Sequence, residues 1–134
     1  MRDLFIDISR VEVLVDMVKA ASTDINQLIE LQTEIGVYSY YIAEHCGLLH
    51  ELYISKEYAR KQKLGEYLRD TSDAISKAKE MFYINCPEYR DEKRAENNYR
   101  RIKMQLEQLN NINQNLNIKI SNLKQERQSI KSTT

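Results

Sequence analysis

The sequence predicts an all-α fold, an elongated antiparallel helical hairpin or bundle with coiled-coil character. Apolar residues recur at alternating spacings of three and four, the pattern of helices buried along a narrow stripe. Three Gly and one Pro among 134 residues leave the chain few places to turn. No stretch carries a strand pattern.

One domain spanning residues 1–134 accommodates this pattern. Its expected parts are an N-terminal helical segment over about 8–34, a long helix over 35–70, a short tip helix over 72–84 and a long C-terminal helix over 87–131. Asp7 or Ser9 is placed to cap the first segment. Val11, Leu14, Val18, Ala21, Ile25 and Leu28 form its ladder, which Ser22-Thr23-Asp24 interrupts with a fresh N-cap. The segment is therefore one helix or two, and in the second case the long helix starts near Asp24. Ile35, Ile42 and Leu49 follow at intervals of seven. Gly36, Gly47 and Gly65 each mark a kink or a close helix contact, at a cost of about 1 kcal/mol relative to Ala.

Asp70-Thr71-Ser72-Asp73 is the clearest break, because these residues prefer caps to helix interiors. The tip helix follows from about Asp73. Ile84-Asn85-Cys86 then leads to Pro87, well placed as the first residue of the final helix. From Tyr99 the C-terminal seam runs Ile102, Leu106, Leu109, Leu116, Ile120, Leu123 and Ile130, with Asn113 and Arg127 on the same line. A polar seam residue costs stability but fixes register or oligomer state. A helix from about 88 to 130 is roughly 65 Å long at ~1.5 Å per residue.

A thin bundle with two apolar stripes is expected to self-associate. The oligomer interface falls on Leu106, Leu109, Asn113, Leu116, Ile120 and Leu123, together with the Val11–Leu28 ladder. No apolar run is long enough for a membrane span, and the first ten residues lack the apolar region of a signal peptide. Cys46 and Cys86 follow no disulfide framework and read as reduced thiols of a cytoplasmic protein.

The formal net charge is zero, but residues 1–87 carry ten Lys/Arg against fourteen Asp/Glu, and residues 88–134 carry ten against six. Sequential helices with short connections pack antiparallel, which sets residues 60–69 level with 90–101. That arrangement gathers Arg60, Lys61, Lys63 and Arg69 with Arg90, Lys93, Arg94, Arg100, Arg101 and Lys103. Tyr58, Tyr67, Tyr83, Tyr89 and Tyr99 fall at the same end. Bases that follow phosphates, interleaved with rings that stack on nucleobases, suit a single-stranded nucleic-acid surface. Glu57, Glu66, Asp91, Glu92 and Glu96 stand at salt-bridge spacing from the same bases, so a solvated, ion-paired face is the competing reading. The tract from Asn110 to Asn117 reads either as a neutral solvated face or as a hydrogen-bonding surface for a helix or for bases.

Catalysis has no support. His45, Cys46 and His50 are the only His/Cys cluster, and of these only Cys46 and His50 share a helix face, too few for a structural zinc site. Phosphate-loop, dinucleotide and nucleophile-elbow motifs are absent. No cofactor is expected.

The stretch Ala59 to Arg69, ARKQKLGEYLR, ends a long helix and is followed by a break, a short helix and a long polar helix. In that order the chain resembles the UvsY-type recombination mediators of phages. The resemblance implies a small helical subunit that forms a homo-oligomeric ring in the host cytoplasm and binds single-stranded DNA. It also implies partners, a recombinase loaded onto strands covered by a single-strand-binding protein. Lys61 and Lys63 match the family's basic pair that contacts DNA, and Leu64 the leucine after it. Gly65-Glu66-Tyr67 stand where the family has an acidic residue and tyrosines directly. A coiled-coil structural or adaptor protein, or a small protein inhibitor without nucleic-acid binding, is the alternative.

Overall fold

The computed structural model describes residues 8–20 and 24–132, with side chains over 10–20 and 24–130. Four helices make up the fold: α1 (Ile8–Ala20), α2 (Ile25–Asp70), α3 (Ile75–Ile84) and α4 (Pro87–Ser132). No strand occurs among the described residues. The long helices α2 and α4 pack against each other antiparallel, an all-α helical hairpin bundle.

The helix ends follow local chemistry. Asp24 opens α2, its Oδ1 accepting from the backbone N–H of Asn26 at 3.0 Å and of Gln27 at 3.4 Å. These are two of the donors that a first turn leaves without partners. The N-terminal segment therefore divides at this cap, and α2 runs unbroken from Ile25 instead of starting near 35. Ser9 falls within α1, and its side chain and Asp7 lie outside the described residues. After α2, Thr71 Oγ1 accepts from the Asp73 N–H at 3.3 Å, a local turn that competes with helix. Ala74, not Asp73, occupies the cap position of α3 and makes no side-chain cap bond. The three glycines lie within α2, and a Cβ at any of them would meet nothing within 4 Å. They mark neither a break nor a close contact.

The described residues gather into two compact units, one drawn from residues 1–45 and 103–134, the other Cys46–Ile102. In the first, α1 folds back along α2, with Arg10 paired to Glu34. Gln32 Nε2 donates to Asn117 Oδ1 at 3.3 Å, which sets the register between α2 and α4 there. Val11 and Leu14 of α1, Ile25, Leu28, Leu31, Ile35 and Ile42 of α2, and Leu109, Leu116 and Ile120 of α4 are all buried. Burying a side chain of this kind contributes about 1.5–3 kcal/mol.

This core changes the expected role of the C-terminal seam. Leu109, Leu116 and Ile120 are buried within a single chain, in the unit that also holds α1 and the first part of α2. Leu106, Asn113 and Leu123 are half-buried at its margin. The seam also ends earlier than its period suggests, with Arg127 and Ile130 exposed, Ile130 by 65%. Counting seven residues each way from the Gln32–Asn117 bond, Lys124 is level with Ile25, where α2 begins. Past that level α2 offers no further turn to cover α4.

Candidate nucleic-acid interface

Within Cys46–Ile102 the core is small: Cys46, Leu49, Ala78, Cys86, Ala95 and Ile102 are its buried apolar residues. Rings and charges do much of the packing. Tyr53 stacks on Tyr99 at 6.3 Å between centroids, and His50 lies 4.8 Å from the same ring. Tyr67 meets Phe82, Phe82 meets Tyr83, and Tyr83 meets Tyr89 at 4.8 Å. Edge and tilted pairs of this kind add about 0.5–1.5 kcal/mol beyond the area they bury. Four of the five tyrosines expected to stack on bases are therefore engaged within the protein. Tyr58 is the exception at 63% exposed, its hydroxyl accepting from Gln62 Nε2 at 3.1 Å.

Arg60 is the largest departure from the expected basic surface. Its Nε donates to Glu92 Oε2 at 2.7 Å and its Nη2 to Glu92 Oε1 at 3.1 Å, while Nη1 donates to the Tyr83 hydroxyl at 3.3 Å. Glu92 is only 5% exposed. A planar fork against a carboxylate is the geometry that makes such a pair strong enough to offset desolvation. The hydrogen bonds to Glu92 raise the pKa of Arg60 above its ordinary value, against the opposing effect of burial. Arg60 thus ties α2 to α4 and to the end of α3, and leaves the candidate interface.

The register differs from the expected one for the same reason. Arg60 faces Glu92, and His50 and Tyr53 face Tyr99. Residues 90–101 are therefore level with roughly 50–62 of α2, and residues beyond 62 meet α3, as Tyr67 does. The tip consumes chain that a simple hairpin would have spent on α4.

Other bases are neutralised on the surface. Lys61 Nζ lies 2.7 Å from Glu57, Lys63 3.6 Å from Glu66, Lys93 3.6 Å from Glu96, and Arg100 2.9 Å from Glu96. Lys61 draws the pKa of Glu57 down through this hydrogen bond. Lys93 also sits over the Tyr89 ring at 5.5 Å. Burial, reinforced by neighbouring Glu96, pushes the Tyr53 phenol up. Lys103 is exposed and belongs to the other unit.

Three arginines stand apart. Arg90, Arg94 and Arg101 are exposed and form no ion pair among the described residues. Spacings of four and seven put them on one stripe of α4. Lys56, unremarked in the sequence, joins them: it lies with Arg94 in a groove whose remaining lining is Leu52, Asp91, Ala95 and Asn98. A single lysine in mid-helix carries no local signal, and only the pairing of α2 with α4 reveals it.

Cys86 has a structural role at the start of α4. Its buried Sγ accepts from the Tyr89 N–H at 3.3 Å and lies 3.6 Å from Glu88 Oε2, to which it donates. The thiol thus caps the helix that Pro87 opens, and burial raises its pKa. Among the described residues no group of three His, Cys, Asp or Glu side chains could hold a metal ion. No helix there is long and apolar enough to cross a membrane.

Compared with known proteins, the chain matches no family model, no curated protein and no solved structure.

Proposed function

We propose that the protein is a single-stranded-DNA-binding accessory protein of phage-type recombination that acts as a homo-oligomer and assists the loading of a recombinase. The observation that supports this reading is the arginine stripe. Arg90, Arg94 and Arg101 are exposed and unpaired among the described residues, whereas Arg60, Lys61, Lys63, Lys93 and Arg100 are ion-paired. Guanidinium groups without a carboxylate partner are free to follow phosphates, and phosphate contacts carry most of sequence-independent affinity. The pairs at Lys61 and Lys63 are exposed and screened by solvent, so they exchange readily for phosphate, and both lysines remain part of the interface.

Oligonucleotide binding over a salt series tests this, with the mass of the protein measured in the same buffer. The slope of log affinity against log salt is expected to be about 0.7 per contact, or roughly 2 for the three arginines alone. Arg90→Gln or Arg101→Gln removes about 0.7 of that slope on every sequence, since phosphate contacts carry no base information. No binding at low salt sinks the reading.

An adaptor role is the second reading, and a specific surface favours it. Val37, Tyr40 and Tyr41 of α2 are 55%, 71% and 56% exposed, with the two rings edge to face at 6.3 Å. Exposed neighbouring apolar side chains of this kind suit a partner helix.

A further inference from the structure

We propose that the groove between Lys56 of α2 and Arg94 of α4 is a subsite for one internal phosphodiester of a single strand. This deepens the nucleic-acid reading and rests on it. The groove measures about 220 Å³ and is lined by Leu52, Lys56, Asp91, Arg94, Ala95 and Asn98. Small-molecule pockets span about 300–1,000 Å³, so this space admits a charged group and not a whole ligand.

Its chemistry selects an anion of a particular charge. Lys56 is half-buried, Arg94 is exposed, and neither they nor Asp91 form an ion pair among the described residues. Two cations with one carboxylate leave the groove with a formal charge of about +1. An internal phosphodiester carries one negative charge and is matched. A phosphate monoester carries about −1.5 to −2 near neutral pH and is repelled by Asp91. Lys56 contributes a point charge and Arg94 a planar fork, the two complementary ways of holding phosphate oxygens. Leu52 and buried Ala95 give an apolar floor for the sugar, and the Asn98 carboxamide both donates and accepts at the rim.

The test is fluorescence-anisotropy titration of an oligothymidylate of about thirty nucleotides over a salt series, with inorganic phosphate as competitor. Lys56→Gln and Arg94→Gln should each lower the salt slope, and the double variant should lower it by about 0.7, the share of the one phosphate that the groove neutralises. Lys56→Arg should retain the slope. Asp91→Asn should tighten oligonucleotide binding several-fold and turn inorganic phosphate into an effective competitor, which it is not for the natural protein. In the natural protein the backbone amides of Lys56, Ala95 and Asn98 should move during an NMR titration, a readout independent of whether a variant folds.

If the protein binds and Arg101→Gln lowers the slope while Lys56→Gln leaves it unchanged, the groove is overturned and the nucleic-acid reading stands. Unmoved amides overturn it equally. Asp91→Asn without effect on phosphate competition overturns the charge-matching part. Absence of any binding by the natural protein overturns both readings at once.

Discussion

The described residues of 1–45 and 103–134 are held by branched aliphatic side chains, whereas Cys46–Ile102 are held largely by rings, small residues and a buried ion pair. All seven of the largest fully buried side chains, from Val11 to Leu116, belong to the first unit. Both buried carboxylates among the described residues, Glu92 and Glu96, belong to the second. The first unit holds three helices, and its buried side chains are almost all aliphatic. The second draws its core from Leu49 and Ile102 with only Ala78, Ala95 and two cysteines beside them, and directional contacts make up what area does not supply. Directional contacts depend on each partner being present, so the two units should respond differently to the same kind of damage.

The largest effect is expected at Glu92. Glu92→Ala leaves the Arg60 guanidinium half of a broken pair and should cost about 3–5 kcal/mol. Replacing Arg60 and Glu92 together by Met and Leu should recover most of that loss. Urea unfolding measures both, and a double variant as damaged as the single one would deny the pair its role in the second unit. In the first unit, Leu116→Ala should cost about 2–5 kcal/mol through lost transfer energy and an unfilled cavity. There no second substitution of a single partner should rescue it, because many side chains share the contact.

Cys86→Ala comes next, at about 1 kcal/mol for a lost cap. The sign of its pH dependence follows from the raised thiol pKa. The fold favours the protonated thiol, so this contribution is complete below the ordinary thiol value and is lost as pH rises through the raised folded value. The stability gap between natural protein and variant should therefore narrow in alkali, as thermal melts across that window would record. The smallest effect is a gain. Gly47→Ala should stabilise α2 by up to about 1 kcal/mol, since the added methyl meets open space and the helix loses a flexible link. A loss at that position would mean that the glycine face is covered in solution.

How much of this was legible in the sequence divides along the same line. Ile35, Ile42, Leu109 and Leu116 betray their burial through period alone, and Asp24 and Pro87 mark helix starts through chemistry that acts within a few residues. The partnership of Arg60 with Glu92 joins residues 32 apart and leaves no local trace. Its charge pattern is indistinguishable from the exposed pairs at Lys61 and Lys63. Tyr67, Tyr83, Tyr89 and Tyr99 pack within the protein with no local trace either, since amphipathic rings suit a nucleobase and a small core equally well. Lys56 and Arg94 stand on different helices, and their meeting depends on a register that the tip helix shifts.

The bonds that set the two registers also differ in how much chain they enclose. Arg60 and Glu92 are 32 residues apart, whereas Gln32 and Asn117 are 85 apart. Closing the longer loop from an open chain costs about 0.9 kcal/mol more in entropy. On that difference the hairpin is expected to close at its tip and zip outward, each turn formed shortening the loop that remains. Substitutions at Arg60, Glu92 or Tyr67 should accordingly slow refolding, while those at Leu28 or Leu116 should mainly hasten unfolding, a division that stopped-flow chevrons would expose. On this expectation the part of the molecule with the smaller apolar core is the part that forms first.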